Sequence, residues 1–495
     1  MKYLIGIDIG TTGTKSVLFD LSGNAVASST AEYPLSQPQN GWAEQDPDDW
    51  WQAACKTLGE VVKHATDGEI AGVGLSGQMH SLVLLDENNC VIRPAILWCD
   101  GRTTAECAEI EATVGKDKLV EITANPALPG FTASKLMWVK KHEPQNFARV
   151  AHILLAKDYI RFKLTGEYAT EASDASGMQL LDIEKRCWSE ELCGILGIDT
   201  STLARVYESS DVTGYVSAEA AALTGLPKGL PVAGGAGDNA AAAIGSGVYQ
   251  LGQAFTTIGT SGVVFAPTDT PLIDPLGRVH TFCAAVPNTW HVMGVTQAAG
   301  LSLNWFRSQF AANVTYKEID RVCQTLPIGA ERLLYLPYLM GERTPLLDSN
   351  ARGVFFGLSA MHDKFHLARA VMEGVSYSLY SCLELIGKIG IDVKTMMLCG
   401  GGAKSAFWQQ MLTDMYGMPI HVGESSEGAA LGAAILAGCA AGAYPSVEAG
   451  CRSAVRSKLV FDPNEQNHDV YMQYYALYNR LYPSLKEHFA DLQGI

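Results

Sequence analysis

The sequence predicts an α/β protein of two domains, each a mixed β-sheet flanked by helices, with the active site in the cleft between them. The chain has 495 residues, enough for two to four domains with complete hydrophobic cores. A strand-turn-strand pattern at residues 9–13 (IGTTG) returns at residues 258–262 (IGTSG), about half the chain later. A domain boundary near Gly247 follows, which gives domains of residues 1–247 and 248–495.

Composition and charge exclude several classes of partner. There are 36 Lys and Arg against 52 Asp and Glu, a formal net charge of −16, so nucleic acid and anionic membrane surfaces are not expected as partners. The N-terminus lacks a signal-peptide pattern, and the Ala- and Gly-rich run 429–443 is too short to span a bilayer, so it predicts a tightly packed buried helix. Twelve cysteines without a Cys-x-x-Cys pair favour reduced thiols, and we expect a cytoplasmic protein.

The first glycine-rich turn lies between two predicted strands. Ile5, Ile7 and Ile9 alternate with smaller or polar residues, and residues 17–19 (VLF) favour β-structure, so residues 6–20 predict a hairpin. Its turn reads GTTGT, in which glycines leave amides exposed and threonines add hydroxyls. On this segment alone, a plain turn and an oxyanion-binding loop are both open.

The repeat favours the second interpretation. Residues 254–266 (AFTTIGTSGVVFA) predict another hairpin with the same kind of turn. Two such turns facing each other across a cleft would hold a polyphosphate from both sides, because each supplies donors to anionic oxygens. The P-loop, the kinase His-Arg-Asp loop, the Gly-x-Ser-x-Gly elbow and the His-Glu-x-x-His motif are all missing from the sequence, which leaves a cleft ATPase or kinase.

A third glycine cluster follows a predicted strand at residues 396–399. Gly400, Gly401 and Gly402 join it to a helix on which Phe407, Met411 and Met415 share one face. Such a turn lets a flat ring or a phosphate lie against backbone amides at a helix N-terminus. A plain strand-to-helix turn is the alternative.

Two aspartates are candidates for the chemistry. Asp238 lies between a small-residue strand and an Ala-rich helix; it is either an N-cap or, after GGAG, a base open to a ligand. A free aspartate titrates near pH 4, so we expect it to be ionised at pH 7. Asp8, beside the first turn, would repel nucleotide phosphates unless Mg²⁺ intervened, and therefore predicts a magnesium ligand. Lys15 either reaches a phosphate or is an exposed strand lysine.

Two polar segments of the first half are candidates for sugar binding. Residues 74–82 present Met79 and His80, while residues 96–104 present Trp98, Asp100 and Arg102. A flat apolar ring with nearby hydrogen-bonding groups is what a small polyol site needs. The alternatives are a satisfied loop histidine for His80 and a local salt bridge between Asp100 and Arg102.

With these residues in hand, the chain resembles the FGGY family of carbohydrate kinases, in the superfamily of actin-like ATPases with a ribonuclease H-like fold. The resemblance rests on residues 130–142 (GFTASKLMWVKKH) and 353–374 (GVFFGLSAMHDKFHLARAVMEG) and covers residues 4 to about 437. It implies an ATP-dependent kinase with Mg²⁺ that phosphorylates the terminal hydroxyl of a sugar. The similarity is greatest to the family's xylulose-phosphorylating members, which implies that D-xylulose becomes D-xylulose 5-phosphate.

The resemblance also implies roles for individual residues. Asp238 would accept the proton, and Asp8 would assist through Mg²⁺. The sugar would be surrounded by Met79, His80, Trp98, Asp100, Asp238 and Asn239. ATP would contact Thr11, Thr12, Gly13, Lys15, Gly259, Thr260, Gly401 and Gly402. The loop of residues 341–345 (GERTP) borders the cleft, but no chemistry is assigned to Arg343.

Departures from the family pattern leave other substrates open. Ser81 and Cys99 stand where similar kinases often carry Gly and Asn. Ribulose, a sugar alcohol and gluconate are alternatives, whereas the Met-His pair argues against glycerol. A chaperone-type or actin-like ATPase and a sugar-sensing pseudokinase are alternatives of a different class. The sequence is compatible with a homodimer.

Overall fold

The computed structural model describes residues 1–425 and 427–494. The strands before residue 247 are β1 (Lys2–Ile9), β2 (Gly13–Asp20), β3 (Ala25–Glu32), β4 (Glu44–Gln45), β5 (Glu69–Gly77), β6 (Val83–Leu85), β7 (Ala95–Ile96), β8 (His152–Leu154), β9 (Ala169–Glu171), β10 (Leu181–Asp182), β11 (Cys187–Trp188), β12 (Arg205–Tyr207), β13 (Val212–Tyr215), β14 (Pro231–Ala233) and β15 (Ala236–Gly237). The helices of this part are α1 (Pro47–Val61), α2 (Thr104–Val114), α3 (Lys116–Thr123), α4 (Thr132–His142), α5 (Pro144–Phe147), α6 (Ala156–Thr165), α7 (Ala172–Ala175), α8 (Glu190–Leu196), α9 (Ala218–Thr224) and α10 (Asp238–Gly245).

The second half continues with the same two kinds of element. Its strands are β16 (Gln253–Ile258), β17 (Gly262–Thr268), β18 (His280–Cys283), β19 (Trp290–Thr296), β20 (Leu334–Leu336), β21 (Val354–Phe356), β22 (Thr395–Gly400), β23 (Ile420–Gly423) and β24 (Ser457–Phe461). Its helices are α11 (Gly300–Phe310), α12 (Tyr316–Cys323), α13 (Lys364–Lys388), α14 (Ala406–Tyr416), α15 (Gly428–Ala440), α16 (Val447–Ala454) and α17 (Glu465–Gln493). Short 3₁₀ turns lie at Val62–His64, Ser176–Met178, Thr200–Thr202 and Gly401–Lys404.

Two large mixed sheets share one topology. The first has the order β13-β14-β5-β1-β2-β3, and the second has the order β18-β19-β17-β16-β22-β23-β24. In the first sheet, β3, β2 and β1 are antiparallel neighbours, and β1 also pairs in parallel with β5. In the second sheet, β19, β17 and β16 are antiparallel neighbours, and β16 also pairs in parallel with β22. The predicted α/β architecture of two related halves is therefore confirmed.

The two predicted hairpins differ in the length of their turns. Ile9 pairs with Thr14 in the first, whereas Ile258 pairs with Gly262 in the second, which leaves one residue fewer in the turn. The first turn closes with a hydrogen bond from Gly10 N to Gly13 O (3.0 Å), the second with one from Gly259 N to Ser261 O (3.0 Å). Similar sequences thus give turns of similar chemistry but different width.

Helix α15 comes from the second half of the chain but packs on the first sheet. It lies on β1, β5 and α10, and with α16 it buries Leu4, Val17 and Phe19. Glycines make this approach possible: a methyl group at Gly6 or Gly74 would lie within 2 Å of the backbone of Ala430 or Ala433. The strands of the two large sheets thus divide between β15 and β16, whereas helix α15 packs across this division.

The C-terminal helix α17 packs on the second half. Its tyrosines Tyr471, Tyr475 and Tyr478 lie in the largest core cluster, together with residues of α13 and α14. Across residues 1–425 and 427–494, no helix is both long and apolar enough to cross a membrane.

Candidate active site

A cavity of about 510 Å³ is lined by residues of both halves. From the first half come the two predicted sugar segments, the loop 128–131 and the start of α10. From the second half come the turn after β16, strands β18 and β19, and the loop 343–347. The sequence offered candidate sugar contacts only in the first half, whereas the cavity walls also include Arg278, His280, Phe282 and Arg343 of the second.

The structure brings many of the predicted site residues to this cavity. Those that line it are Met79, His80, Trp98, Asp100, Asp238, Asn239 and Gly259. Those that lie beyond its wall are Asp8, Thr11, Thr12, Gly13, Lys15, Thr260, Gly401 and Gly402. The second group contains most of the predicted nucleotide contacts, so the cavity brings together Asp238 and the residues predicted to contact the sugar.

Asp238 is the first residue of α10 and not its N-cap, which is Gly237. Its Oδ1 accepts hydrogen bonds from the backbone N (2.7 Å) and side-chain Nδ2 (3.0 Å) of Asn239. Burial, followed by the negative charge of Asp8, raises the pKa of Asp238 to about 7, against the lowering effect of Asn239. Asp238 therefore holds its proton to a higher pH than a free aspartate does, which differs from the expectation from the sequence.

Asp8 lies on β1, opposite Lys15 of β2. Its Oδ1 accepts a hydrogen bond from Ser76 Oγ (3.0 Å). Burial raises the pKa of Asp8, whereas Ser76 and the charge of Lys15 lower it and the charge of Glu427 raises it. Asp238 in the cavity wall and Asp8 beyond it are thus two carboxylates close enough for the charge of Asp8 to affect the titration of Asp238, and such a pair favours a cation.

The residues present fit a magnesium ion of the kind that kinases use. Over the described ranges, no three His, Cys, Asp or Glu side chains cluster as a resident metal site would require. Mg²⁺ in such enzymes takes one or two carboxylates and completes its shell with phosphate oxygens and water. Asp8, buried beside Asp238 and the first turn, is a donor of that type.

The first turn is tied to the sugar segments by a chain of side-chain hydrogen bonds. Trp98 Nε1 donates to Thr11 Oγ1 (3.0 Å), which in turn donates to Gln78 Oε1 (3.3 Å). Gln45 completes the chain, since its Nε2 donates to Thr11 O (2.7 Å) and its Oε1 accepts from Gln78 Nε2 (3.2 Å). The Thr11 hydroxyl therefore helps to orient Trp98 at the mouth of the cavity.

Lys15 forms an ion pair with Glu427, just before α15. This pair links the strand that leaves the first turn to a segment of the second half. The sequence analysis predicted either a phosphate contact or an exposed strand lysine for Lys15. Neither prediction included Glu427 as its partner.

His80 has a left-handed backbone, with φ of 66°. Its Nδ1 lies 2.7 Å from Gly177 O, and because a carbonyl only accepts, Nδ1 carries the proton and Nε2 is left as an acceptor. Burial, followed by the positive charge of Lys135, holds the pKa of His80 well below its usual range. The ring is therefore neutral and presents an acceptor suited to a sugar hydroxyl.

Met79 and Asp100 differ in what they can offer a ligand. Met79 packs against Gly237, where a methyl group would lie 2.9 Å from its side chain, so this glycine lets Met79 approach Asp238. Asp100 is 2% exposed, and both its oxygens are used: Oδ1 and Oδ2 accept from Arg102, and Oδ2 also accepts from Ala43 N (2.6 Å). The local salt bridge considered from the sequence is present in the structure.

The second turn and the third glycine cluster lie against each other. Gly400 and Gly402 contact Ile258, where a methyl group on either glycine would come within 3 Å. The carbonyls of Gly259 and Thr260 accept hydrogen bonds from the start of α11, at Ala299, Gly300 and Leu301. Two of the predicted nucleotide-binding segments are thus adjacent in the second half.

Sequence analysis did not identify two residues, Lys135 and Gly177, that hold His80 in position. The Nζ atom of Lys135, fully buried on α4, donates to His80 O (2.9 Å) and Gly130 O (2.6 Å), and burial lowers its pKa to about 7. Gly177 leaves room for the imidazole, since a methyl group there would lie 2.5 Å from two ring atoms of His80. Lys135 stood in the signature at residues 130–142, but nothing in its spacing indicated the carbonyls that it binds.

Comparisons with known proteins identify the family of the chain. The N-terminal domain of the FGGY family of carbohydrate kinases matches residues 3–245, and its C-terminal domain matches residues 254–441. A xylulose kinase of Bacillus subtilis is 41% identical over 489 residues, covering 98% of each chain. A ligand-bound xylulose kinase from Lactobacillus acidophilus, known from a crystal structure, is 30% identical in sequence and matches with a TM-score of 0.94. The match covers 99% of this chain and 100% of that chain. The crystal structure of a gluconate kinase from the same organism gives the same identity and TM-score, with 99% of each covered.

The domain matches cover most of the chain, and the repeated sheets agree with the fold of actin-like ATPases that the resemblance implied. The chain therefore belongs to the FGGY family of carbohydrate kinases and is a sugar kinase, a phosphotransferase.

Proposed function

We propose that the chain transfers the γ-phosphoryl group of ATP to the terminal hydroxyl of D-xylulose, giving D-xylulose 5-phosphate and ADP. The observation that carries the proposal is the position of Asp238. It lies in a cavity whose lining also includes His80, Met79 and Trp98 of the first half and the phosphate-type turn at Gly259 and Ser261 of the second. Similarity to xylulose kinases over nearly the whole chain supports the choice of sugar.

Asp238 accepts the proton of the attacking hydroxyl in this proposal. A base with a pKa of about 7 suits neutral pH, because it is substantially deprotonated and still basic enough to take the proton as the bond to phosphorus forms. General-base catalysis of this kind contributes about 10²- to 10⁴-fold to the rate. Holding the attacking oxygen and the phosphorus in line contributes more, about 7 to 11 kcal/mol.

The other residues bind and orient the two substrates. The free Nε2 of His80 accepts a hydrogen bond from a sugar hydroxyl, and Met79 and Trp98 supply apolar surface. The side-chain amide of Asn239, next to Asp238, donates a hydrogen bond to the sugar. The triphosphate lies between the first turn, at Thr11, Thr12 and Gly13, and the second, at Gly259 and Thr260. The ATP base and ribose lie against the turn at Gly401 and Gly402. When ATP binds, Lys15 leaves its ion pair with Glu427 and pairs with a phosphate instead.

A magnesium ion held by Asp8 and phosphate oxygens would supply the positive charge that offsets repulsion between the triphosphate and the two aspartates. Closure of the two halves then excludes the water that would otherwise hydrolyse ATP. The twelve free thiols and the need for ATP fit an enzyme of the cytoplasm.

The test is ADP release measured with a panel of acceptors: D-xylulose, D-ribulose, D-arabinitol, glycerol and D-gluconate. We expect release to depend on the acceptor and kcat/KM to be highest with D-xylulose. ADP release without any sugar would instead point to a chaperone-type ATPase, and sugar binding without release to a sensor. A higher kcat/KM with gluconate or glycerol would contradict the assigned substrate.

A further inference from the structure

Arg343 is a positively charged residue of the cavity wall. Neither the sequence analysis nor the proposed reaction assigns it a role. It lies in the loop between β20 and β21, in the second half, and lines the same cavity as His80. Within residues 1–425 and 427–494, its guanidinium forms no hydrogen bond or ion pair. The other arginine of the cavity wall, Arg278, is paired through Nε and Nη2 with both oxygens of Asp274.

The backbone of Arg343 is fixed on both sides. Its own N–H donates to Glu342 Oε1 (2.8 Å), and the buried Glu342 is held in turn by Gln297 N (2.8 Å) and Ser378 Oγ (3.2 Å). On the other side, Thr344 N donates to Val295 O (3.0 Å) and Thr344 Oγ1 donates to Arg278 O (2.6 Å). A rigid backbone that presents an unpaired guanidinium to a cavity is an arrangement suited to binding a ligand.

Arg343 lines the same cavity as His80, His280 and Asp238. It lies close enough to the two histidines to contribute to the lowered pKa of both. The cavity, of about 510 Å³, has room for a five-carbon sugar that meets Asp238 with its terminal hydroxyl and reaches Arg343 with its other end.

We propose that Arg343 binds the carbonyl oxygen at the end of the acceptor that is not phosphorylated, and so selects acceptors with an oxygen on an sp² carbon over sugar alcohols. A guanidinium forms strong, directional hydrogen bonds with carbonyl and carboxylate oxygens, which only accept. The C2 ketone of a ketopentose and the carboxylate of a five-carbon aldonate share this chemistry. The inference rests on the proposed function, because it assumes that the terminal hydroxyl lies at Asp238.

The experiment compares wild type with Arg343→Met on three related five-carbon compounds. D-xylulose has the ketone, D-arabinitol is the alcohol formed by reducing that ketone, and D-xylonate carries a carboxylate. We expect R343M to lower kcat/KM for D-xylulose about 10- to 100-fold, mainly through KM, and to change kcat/KM for D-arabinitol less than about threefold. Calorimetry should show D-xylonate binding to wild type and at least about tenfold weaker binding to R343M.

Controls separate recognition from structure. Arg352 lies on the same loop, but its Nη1 donates to Ser349 O and Ala351 O (both 2.8 Å) outside the cavity, so R352M should leave all three ratios unchanged. The KM for ATP should stay the same in R343M. Its melting temperature should not fall, because the guanidinium has no hydrogen-bond or ion-pair partner among the described residues to lose.

Equal losses for D-xylulose and D-arabinitol in R343M would overturn the inference and leave the proposed function standing. So would failure of D-xylonate to bind wild type, or equal binding by both proteins. If wild type does not phosphorylate D-xylulose, the proposed function fails, and the D-xylonate titration still decides whether Arg343 binds a carbonyl-type oxygen.

Discussion

The carboxyl group of Asp238 combines the two properties that its assigned role requires. It is open to the cavity, and its pKa is raised to about 7 by burial and by Asp8. Replacement by Asn keeps its size and the neighbouring hydrogen-bond geometry but removes the basic group. We expect D238N to lower kcat by about 10²-fold or more while the Kd for ATP, measured by calorimetry, changes little. The exposed Glu219→Gln is a matched control, and unchanged turnover in D238N would remove the assigned base.

The same pKa makes a prediction about stability. A folded-state pKa of about 7, above the unfolded value near 4, means that the folded protein binds the extra proton between these pH values, so stability decreases as pH rises through that window. D238N removes the buried charge. Its melting temperature should exceed that of wild type at pH 8 and match it near pH 4. A lower melting temperature at pH 8 would contradict the raised pKa.

His80 depends on a glycine that the sequence did not identify as functional. Because a methyl group at Gly177 would lie 2.5 Å from the imidazole, G177A should displace the ring from its carbonyl partner and raise KM for the sugar about tenfold or more. The KM for ATP should not change. Gly194→Ala is the control, since a methyl group at Gly194, on α8, meets nothing within 4 Å. Steady-state kinetics with each substrate varied would check both, and a KM for sugar unaffected by G177A would exclude this role.

At the residue scale, sequence patterns predicted the types of side chain in the site better than their partners. The position of Asp238 next to the cavity could be predicted, because GGAG before it removes every large side chain. Its pKa could not, since that value comes from burial and from Asp8, more than two hundred residues earlier in the chain. Asp100 was weighed as a sugar ligand, yet Arg102 and Ala43 occupy its oxygens.

At the element scale, α10 and α15 are held together by glycines rather than by large apolar side chains. A methyl group at Gly432 would lie 1.8 Å from Ala241 O, and one at Gly245 would lie 1.8 Å from Gly428 O. Helix α10 begins at Asp238, so its distance from α15 also sets the position of the proposed base. The run 429–443 did predict a tightly packed buried helix, but its composition could not say that the helix packs on the sheet of the other half.

This packing makes G432A a test of how far α15 positions the site. The added methyl group forces α10 and α15 apart, at a cost of about 1 to 3 kcal/mol in stability, and shifts Asp238 with α10. We expect a lower melting temperature and a kcat reduced severalfold. Gly387→Ala, on α13, places its methyl group in open space and should leave both unchanged. An unaltered melting temperature and kcat in G432A would show that the helices can separate without consequence.

At the scale of the whole molecule, the repeated sheet explains why one site needs both halves. The repeat predicted two equivalent hairpins, and the shared topology confirms them. The turns are not identical, because the second is one residue shorter. They also contribute differently to the cavity: Gly259 and Ser261 of the second turn line it, whereas the first turn contacts the cavity residue Trp98 through Thr11. The sequence could not predict this asymmetry, since it follows from strand register and from the way the helices cross between the halves.

The proposed function requires the two turns to bind one triphosphate from opposite sides. The most direct measurement is a crystal structure with a non-hydrolysable ATP analogue, Mg²⁺ and D-xylulose. We predict that backbone or hydroxyl donors from residues 11–13 and from residues 259–261 lie within hydrogen-bond distance of the same triphosphate, with the sugar's terminal hydroxyl at Asp238. A triphosphate bound by only one of the turns, or bound elsewhere, would contradict the account.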